Sequence, residues 1–256
     1  MTLTQEHTRT PGHDPDATAS MAARDLESHG FFLAPLLQPG FDVLDAGCGP
    51  GTITNDIAER VFPGRVTGLD ISPGHLERAR RLSQGREIVN ASFIHGSAYG
   101  IPFQDSSFDL VFSHALLEQL LEPQRVLREF HRVTRPGGFA AVCSPDWDRF
   151  EMAPCPGAVT EAISAYRRLH DDNGGCTQAG ALLGGWMADA GFSPISTGVW
   201  TERCNSPHRI AGFIASQLEE AGSHGHAGTL RTWASHPGAE FLQTWRYVVT
   251  IKLGEE

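Results

Sequence analysis

The stretch Val43-Leu44-Asp45-Ala46-Gly47-Cys48-Gly49-Pro50-Gly51 (VLDAGCGPG) places three glycines on alternate positions behind an apolar run. Glycine-rich turns that follow a strand let main chain approach a ligand closely, most often a dinucleotide's pyrophosphate resting on a helix N-terminus. Two details bear on which ligand this turn serves. Asp45 stands two residues before the first glycine, and Pro50 sits where the next helix should begin.

Around this stretch two kinds of segment alternate. Residues 41–46 read as a short apolar strand, and 53–61 as a helix closed by Pro63-Gly64. A second strand (65–70), a second helix (74–83), a third strand (92–95) and a fourth (108–113, FDLVFS) follow. Helical segments at 116–121 and 123–134 lead through Arg135-Pro136-Gly137-Gly138 to a fifth strand at 139–144. Strands alternating with helices imply parallel pairing, right-handed crossovers and a doubly wound α/β sheet covered on both faces. Upstream, 21–37 is spaced for an amphipathic helix, and the polar first twenty residues read as a mobile leader. The alternation stops near Asp146. Beyond it come a helical stretch within 150–175, a helix at 178–190 and a sixth strand at 193–201. Two or three helical segments then surround the glycine-rich 221–228, and 246–253 (RYVVTIKL) is either an antiparallel last strand or a helix. The organisation predicted is a leader (1–20), a core (21–145), and a remainder (146–256) that completes the sheet and adds a helical cap.

The chain has 256 residues and a net charge of −10, and Lys252 is the sole lysine among 20 basic residues. An acidic chain without a lysine-rich patch argues against a nucleic-acid partner. Five widely spaced cysteines without a CxxC pair suit reduced thiols rather than a disulfide frame. No 18-residue apolar span or signal peptide is seen, so no membrane association and a cytoplasmic location are expected.

In an open parallel sheet, ligands bind beyond the carboxyl ends of the strands, where strand order reverses. The glycine turn lies there, and so does Asp70 at the end of strand two, placed to accept the two ribose hydroxyls of an adenosine. The rest of the ligand is decided by Asp45. A carboxylate in that crevice repels pyrophosphate and attracts an ammonium or a sulfonium. S-adenosylmethionine carries both, so the charge pattern selects it over a nicotinamide dinucleotide.

Four motifs in order then carry a resemblance spanning roughly residues 21–200: VLDAGCGPGTIT, VTGLDIS, FIHGSAYGIPFQDSSFDLVFSH and LREFHRVTRPGGFAAVCSPD. The chain resembles the class I S-adenosylmethionine-dependent methyltransferases, of the small-molecule group that includes ubiquinone- and menaquinone-biosynthesis-like enzymes. The resemblance implies a Rossmann-like, mostly parallel seven-strand sheet with a helical cap. It also implies that Asp45 holds the methionine amino group, and that Gly47, Gly49 and Pro50 let the methionine moiety approach. Asp70 would bind the ribose hydroxyls, and Ile71 would pack on adenine. Ser97 and Ala98 would flank the adenine edge; the family usually has Asp at the Ser97 position, and serine brings a hydroxyl without the charge. Ser113, at the end of strand four, belongs to the same cofactor set.

Arg24 is either a clamp on the methionine carboxylate or a solvated helix arginine. His114 follows strand four directly and is either the general base for a hydroxyl acceptor or a residue that shapes the pocket. Asp146, with Trp147 beside it, either orients the acceptor or anchors the cap, while Glu118 reads as outward-facing and Trp186, Trp200, Trp233 and Trp245 as packing residues. The pair His224 and His226 reads as a surface loop, and Cys155, Cys176 and Cys204 have no ligand spacing, so no metal is expected. The expected activity is in-line methyl transfer to an O or N atom of a small-molecule acceptor, by a monomer or homodimer. The alternatives are an S-adenosylmethionine-binding protein without transferase activity and, disfavoured by Asp45 and Pro50, a nicotinamide oxidoreductase.

Overall fold

A computed structural model describes residues 21–204 and 206–254. Seven strands, β1 (Val43–Ala46), β2 (Val66–Asp70), β3 (Ala91–His95), β4 (Phe108–His114), β5 (Thr134–Ala153), β6 (Ser193–Arg203) and β7 (Glu240–Ile251), form one sheet. Their order is β3-β2-β1-β4-β5-β7-β6. The pairs β3–β2, β2–β1, β1–β4 and β4–β5 are parallel, and β7 lies antiparallel between β5 and β6. The order reverses between β1 and β4, so the crevice predicted from the sequence opens at the ends of those two strands.

Alternate side chains of the central strands feed two cores, one on each face. Leu44, Val111, Ala140, Val142 and Val248 point to one; Val43, Leu110, Phe112, Ala141 and Val249 point to the other. Helix α2 (Thr52–Val61) follows the glycine turn, and α3 (Pro73–Gly85) begins with proline in its first turn and Ser72 as its cap, accepting the His75 N–H. Helix α4 (Pro123–Val133) buries Val126, Leu127, Phe130 and Val133, one face at helical spacing. Each such side chain contributes about 1.5–3 kcal/mol.

The amphipathic helix expected over 21–37 is broken. The Asp25 carboxylate accepts the Ser28 N–H at 2.7 Å and starts a one-turn helix, α1 (Leu26–His29), which Gly30 ends before a 3₁₀ turn at Phe31–Leu33. A side chain that competes for a backbone N–H starts a new cap in mid-pattern. Likewise 116–121 yields only a 3₁₀ turn, Leu117–Gln119.

The cap differs more from expectation. β5 does not stop at 144; it runs on to Ala153, pairing β7 again at Phe150–Ala153 after a bulge that contains residues 146–149. This two-strand arm carries α5 (Gly157–Asp172), α7 (Pro207–Glu220) and α8 (His224–Ala234). Their apolar faces meet Trp147 and Phe241 in a third core. His224 and His226 are therefore helical rather than in a loop. Helix α6 (Ala179–Asp189), expected in the cap, buries Leu183 and Met187 in a core of the sheet.

Candidate active site

A cavity of about 850 Å³ extends from the glycine turn to the cap helices, within the size range of small-molecule sites. At its sheet end, Gly47, Gly49 and Gly51 all hold positive φ (+75°, +52° and +77°). A Cβ on Gly51 would stand 2.6 Å from the Ala79 Cβ, which explains why the last glycine of the turn carries no side chain. The Gly47 and Cys48 N–H groups both donate to the Leu69 carbonyl, and the Gly49 N–H donates to Asp70 Oδ2 at 2.8 Å. The turn after β1 is thus fastened to the end of β2.

Asp70 also accepts the Ser72 N–H at 2.8 Å and has His75 Nδ1 at 3.6 Å. Burial pushes its carboxyl up, but these partners outweigh burial and hold it below the usual range. Asp45 is in the opposite condition. It is buried and has the Thr54 hydroxyl at 2.6 Å. Burial, against that hydrogen bond and with the charge of Asp70 added, pushes it up to about 7. Pro50, Ile71, Gly96 and Ala98 complete this end.

The middle of the cavity is built by residues from distant parts of the chain. Arg24 donates to His114 Nδ1 at 3.4 Å and lies 5.1 Å from the centre of the Trp245 ring. Burial, then the charges of Arg24 and His29, hold His114 well below its ordinary value, so it is neutral. A guanidinium only donates, so Nδ1 is the accepting nitrogen and Nε2 carries the proton. The Glu118 carboxyl, expected to face outward, is buried here with the Ser144 hydroxyl at 2.9 Å. Burial, partly offset by its hydrogen bonds and by Arg24, pushes it up to about 7. On the far wall Glu202 accepts from Trp245 Nε1 at 2.9 Å and has His29 Nε2 at 3.3 Å. Those partners outweigh burial and keep Glu202 below the ordinary value. The cap end is lined by Trp147, Tyr166, His170, Phe213, Gln217 and Phe241.

Residues 44–142 match a family model described as a methyltransferase domain. An uncharacterised methyltransferase of Schizosaccharomyces pombe is 33% identical over 191 residues, 71% of this chain and 67% of that protein. The chain belongs to the methyltransferase family. A demethylmenaquinone methyltransferase of Geobacillus stearothermophilus is 41% identical over 108 residues, 42% of this chain and 46% of that protein. The chain therefore spans about two thirds of the first relative and less than half of the second. A solved S-adenosylmethionine-dependent methyltransferase of Aquifex aeolicus shares the fold, with a TM-score of 0.56 and 21% identity over 72% of this chain and 91% of that one.

The sheet end of the cavity fits the cofactor of this family. Asp70 lines the cavity with Oδ1 facing the Ser72 N–H and His75 and Oδ2 accepting only the Gly49 N–H, which leaves acceptor capacity for a hydroxyl. Gly47, Gly49 and Gly96 present bare backbone, and Asp45 supplies a buried acid suited to an ammonium.

Of the residues singled out from the sequence, Arg24, Asp45, Gly47, Gly49, Pro50, Asp70, Ile71, Ala98 and His114 all line this one cavity. Three do not. Asp146 is buried and bound to Arg246 Nε at 2.7 Å, so it holds β5 to β7 instead of facing an acceptor. The Ser113 hydroxyl donates to the Ala46 carbonyl, tying β4 to β1. The Ser97 hydroxyl accepts the Tyr99 N–H and braces its own turn. Sequence reasoning missed His29, Glu118, Tyr166, His170, Glu202 and Gln217, and it read Trp200 and Trp245 as packing residues although both line the cavity. Tyr166 with His170, and Phe213 with Gln217, recur at i, i+4 and so share a helix face, but that pattern does not distinguish a face on a core from a face on a cavity. Among the described residues no group of three or more His, Cys, Asp or Glu side chains is placed to hold a metal ion, and no helix is long and apolar enough to cross a membrane.

Proposed function

We propose that the protein transfers the methyl group of S-adenosylmethionine to an oxygen or nitrogen atom of a small molecule enclosed between the sheet and the cap. The observation that carries this reading is the single cavity that joins Asp45, Gly49 and Asp70 to Tyr166 and Gln217, with Arg24, His114 and Glu118 between them. When bound, the cofactor supplies an electrophilic methyl on a sulfonium. The chain's residues supply position, water exclusion and proton traffic.

In this reading Asp70 holds the ribose hydroxyls, Ile71 and Ala98 pack on adenine, and Asp45 faces the methionine ammonium. Arg24, already directed by the Trp245 face, clamps the carboxylate. His114 is a hydrogen-bond donor rather than a base: with Nδ1 facing Arg24, the Nε2 proton is the one offered to the acceptor. The base is Glu118, whose carboxyl near 7 is half ionised at neutral pH and can take the proton that a hydroxyl or ammonium acceptor must lose. An acceptor that is already an anion or a neutral amine needs no such step.

Calorimetric titration of S-adenosylmethionine and S-adenosylhomocysteine into wild type and Asp70→Ala tests the reading. Micromolar binding that falls at least about tenfold in the variant is expected from two lost hydrogen bonds to a charged acceptor. No binding by the wild type would refute it.

A further inference from the structure

The cap end of the cavity holds buried polar groups that nothing in the protein satisfies. Gln217, 3% exposed on α7, has no hydrogen-bond partner for either its amide nitrogen or its amide oxygen. His170, also 3% exposed, has its Nε2 at 2.9 Å from the Glu118 carbonyl oxygen. A carbonyl only accepts, so Nε2 carries the proton. Burial holds this imidazole below its ordinary value and hence neutral, which makes the unpartnered Nδ1 a bare acceptor. Both side chains border the cavity. Native proteins satisfy nearly all such groups, and a buried orphan is a standing cost that a ligand relieves on binding.

The surroundings define what that ligand is. Tyr166 lies 5.1 Å from Trp147, 6.2 Å from His170 and 6.4 Å from Phe213, ring centre to ring centre, and Phe241 closes the same wall. These are ring faces and edges suited to a flat apolar body. Trp147, Tyr166, Phe213, Gln217 and Phe241 are themselves uncharged; the charged groups nearest them on the cavity wall are Glu118, whose carboxylate would repel an anion, and Arg209 and Arg203, which are exposed. An anion placed among Tyr166, Phe213 and Gln217 would therefore be desolvated beside the Glu118 carboxylate.

We infer that Gln217 and His170 select the methyl acceptor, and that the acceptor is an uncharged ring compound bearing a carboxamide, or an equivalent carbonyl with two N–H or O–H donors, at the end remote from the reacting atom. The unmatched groups require two donors, for Gln217 Oε1 and His170 Nδ1, and one acceptor, for Gln217 Nε2. A primary carboxamide supplies that set. This assignment rests on the transferase reading for the word acceptor, but the pocket chemistry stands on the orphaned groups alone.

The test uses the full chain and two probes of one shape, benzamide and benzoate, in ligand-observed NMR titrations with and without S-adenosylhomocysteine. Benzamide binds wild type and benzoate does not. Gln217→Leu and the nearly isosteric Gln217→Met weaken benzamide about tenfold, the loss of a hydrogen-bond pair. Both variants also raise the thermal midpoint of the ligand-free protein, because each removes two orphaned polar atoms. Benzoate binding as well as benzamide, unchanged benzamide affinity in both variants, or a lowered midpoint in both would overturn the inference. Wild type that binds benzamide but not S-adenosylhomocysteine would remove the transferase reading and keep the pocket assignment.

Discussion

Cofactor binding should release a proton, and Asp45 is the source. In the ligand-free protein its carboxyl is pushed up from 3.8 to about 7 by burial. An ammonium beside it favours the carboxylate, so the bound state requires ionised Asp45. At pH 7 about half of the molecules must lose a proton to bind, and at pH 6 about nine in ten. Affinity should therefore rise about fivefold between pH 6 and 7 and approach a plateau above. Calorimetry in buffers of different ionisation enthalpy reads the released proton directly, as about 0.9 per site at pH 6 and about 0.5 at pH 7. The sign for stability is the reverse. The folded-state value lies above the unfolded one, so Asp45 costs nothing below pH of about 4. Its penalty grows as pH rises to about 7 and then stays constant at about 4 kcal/mol. Asp45→Asn, which keeps an acceptor for the Thr54 hydroxyl, should lose both the proton release and the stability slope, and bind the cofactor weakly at every pH. Wild-type affinity that is flat between pH 6 and 7.5, with no proton exchange, would refute the pairing of Asp45 with the ammonium.

Glu118→Gln should stabilise the ligand-free protein at pH 8 by up to about 3 kcal/mol and change little at pH 4.5, as measured by urea midpoints. The wild-type carboxyl bears an ionisation penalty that grows between its ordinary value of 4.5 and its folded value of about 7. Asp146→Asn should lower stability by about 1–3 kcal/mol, by leaving Arg246 without its charged partner. Its benzamide affinity should match wild type in a titration; a large loss would return Asp146 to the acceptor end of the site. Gly51→Ala should destabilise by about 2–4 kcal/mol, combining the left-handed φ with the clash against Ala79. A denaturation midpoint near wild type would contradict the turn geometry.

The core of the fold and the residues lining the sheet end of the cavity were legible because their signals are local. VLDAGCGPG gives a strand and a turn with positive φ within nine residues and leads directly into a helix at Thr52, and Asp70 follows at the end of the next strand. The third and fourth strands, and the helix at 123–133, read correctly from an apolar run or a helical stripe alone. The three singled-out residues that do not line the cavity share a different cause. Asp146, Ser113 and Ser97 lie at the strand ends and loop where ligand-binding residues are expected, but each found a protein partner (Arg246, the Ala46 carbonyl and the Tyr99 N–H). Whether a polar side chain at such a position faces the ligand or a neighbour depends on the facing strand, which for Asp146 lies 100 residues away at Arg246.

The sequence by itself determined the doubly wound sheet and the glycine turn and acids that border its crevice, because hydrophobic periodicity and turn chemistry act over a few residues. Only the tertiary structure decided the far side of the cavity. Glu118, Tyr166, His170, Glu202, Gln217 and Trp245 come from a 3₁₀ turn, the sheet and two cap helices, and no spacing in the chain predicts their meeting. Their protonation follows from the same fact: burial, neighbouring charges and the partner of each imidazole nitrogen exist only once the arm of β5 and β7 has carried the cap over the crevice.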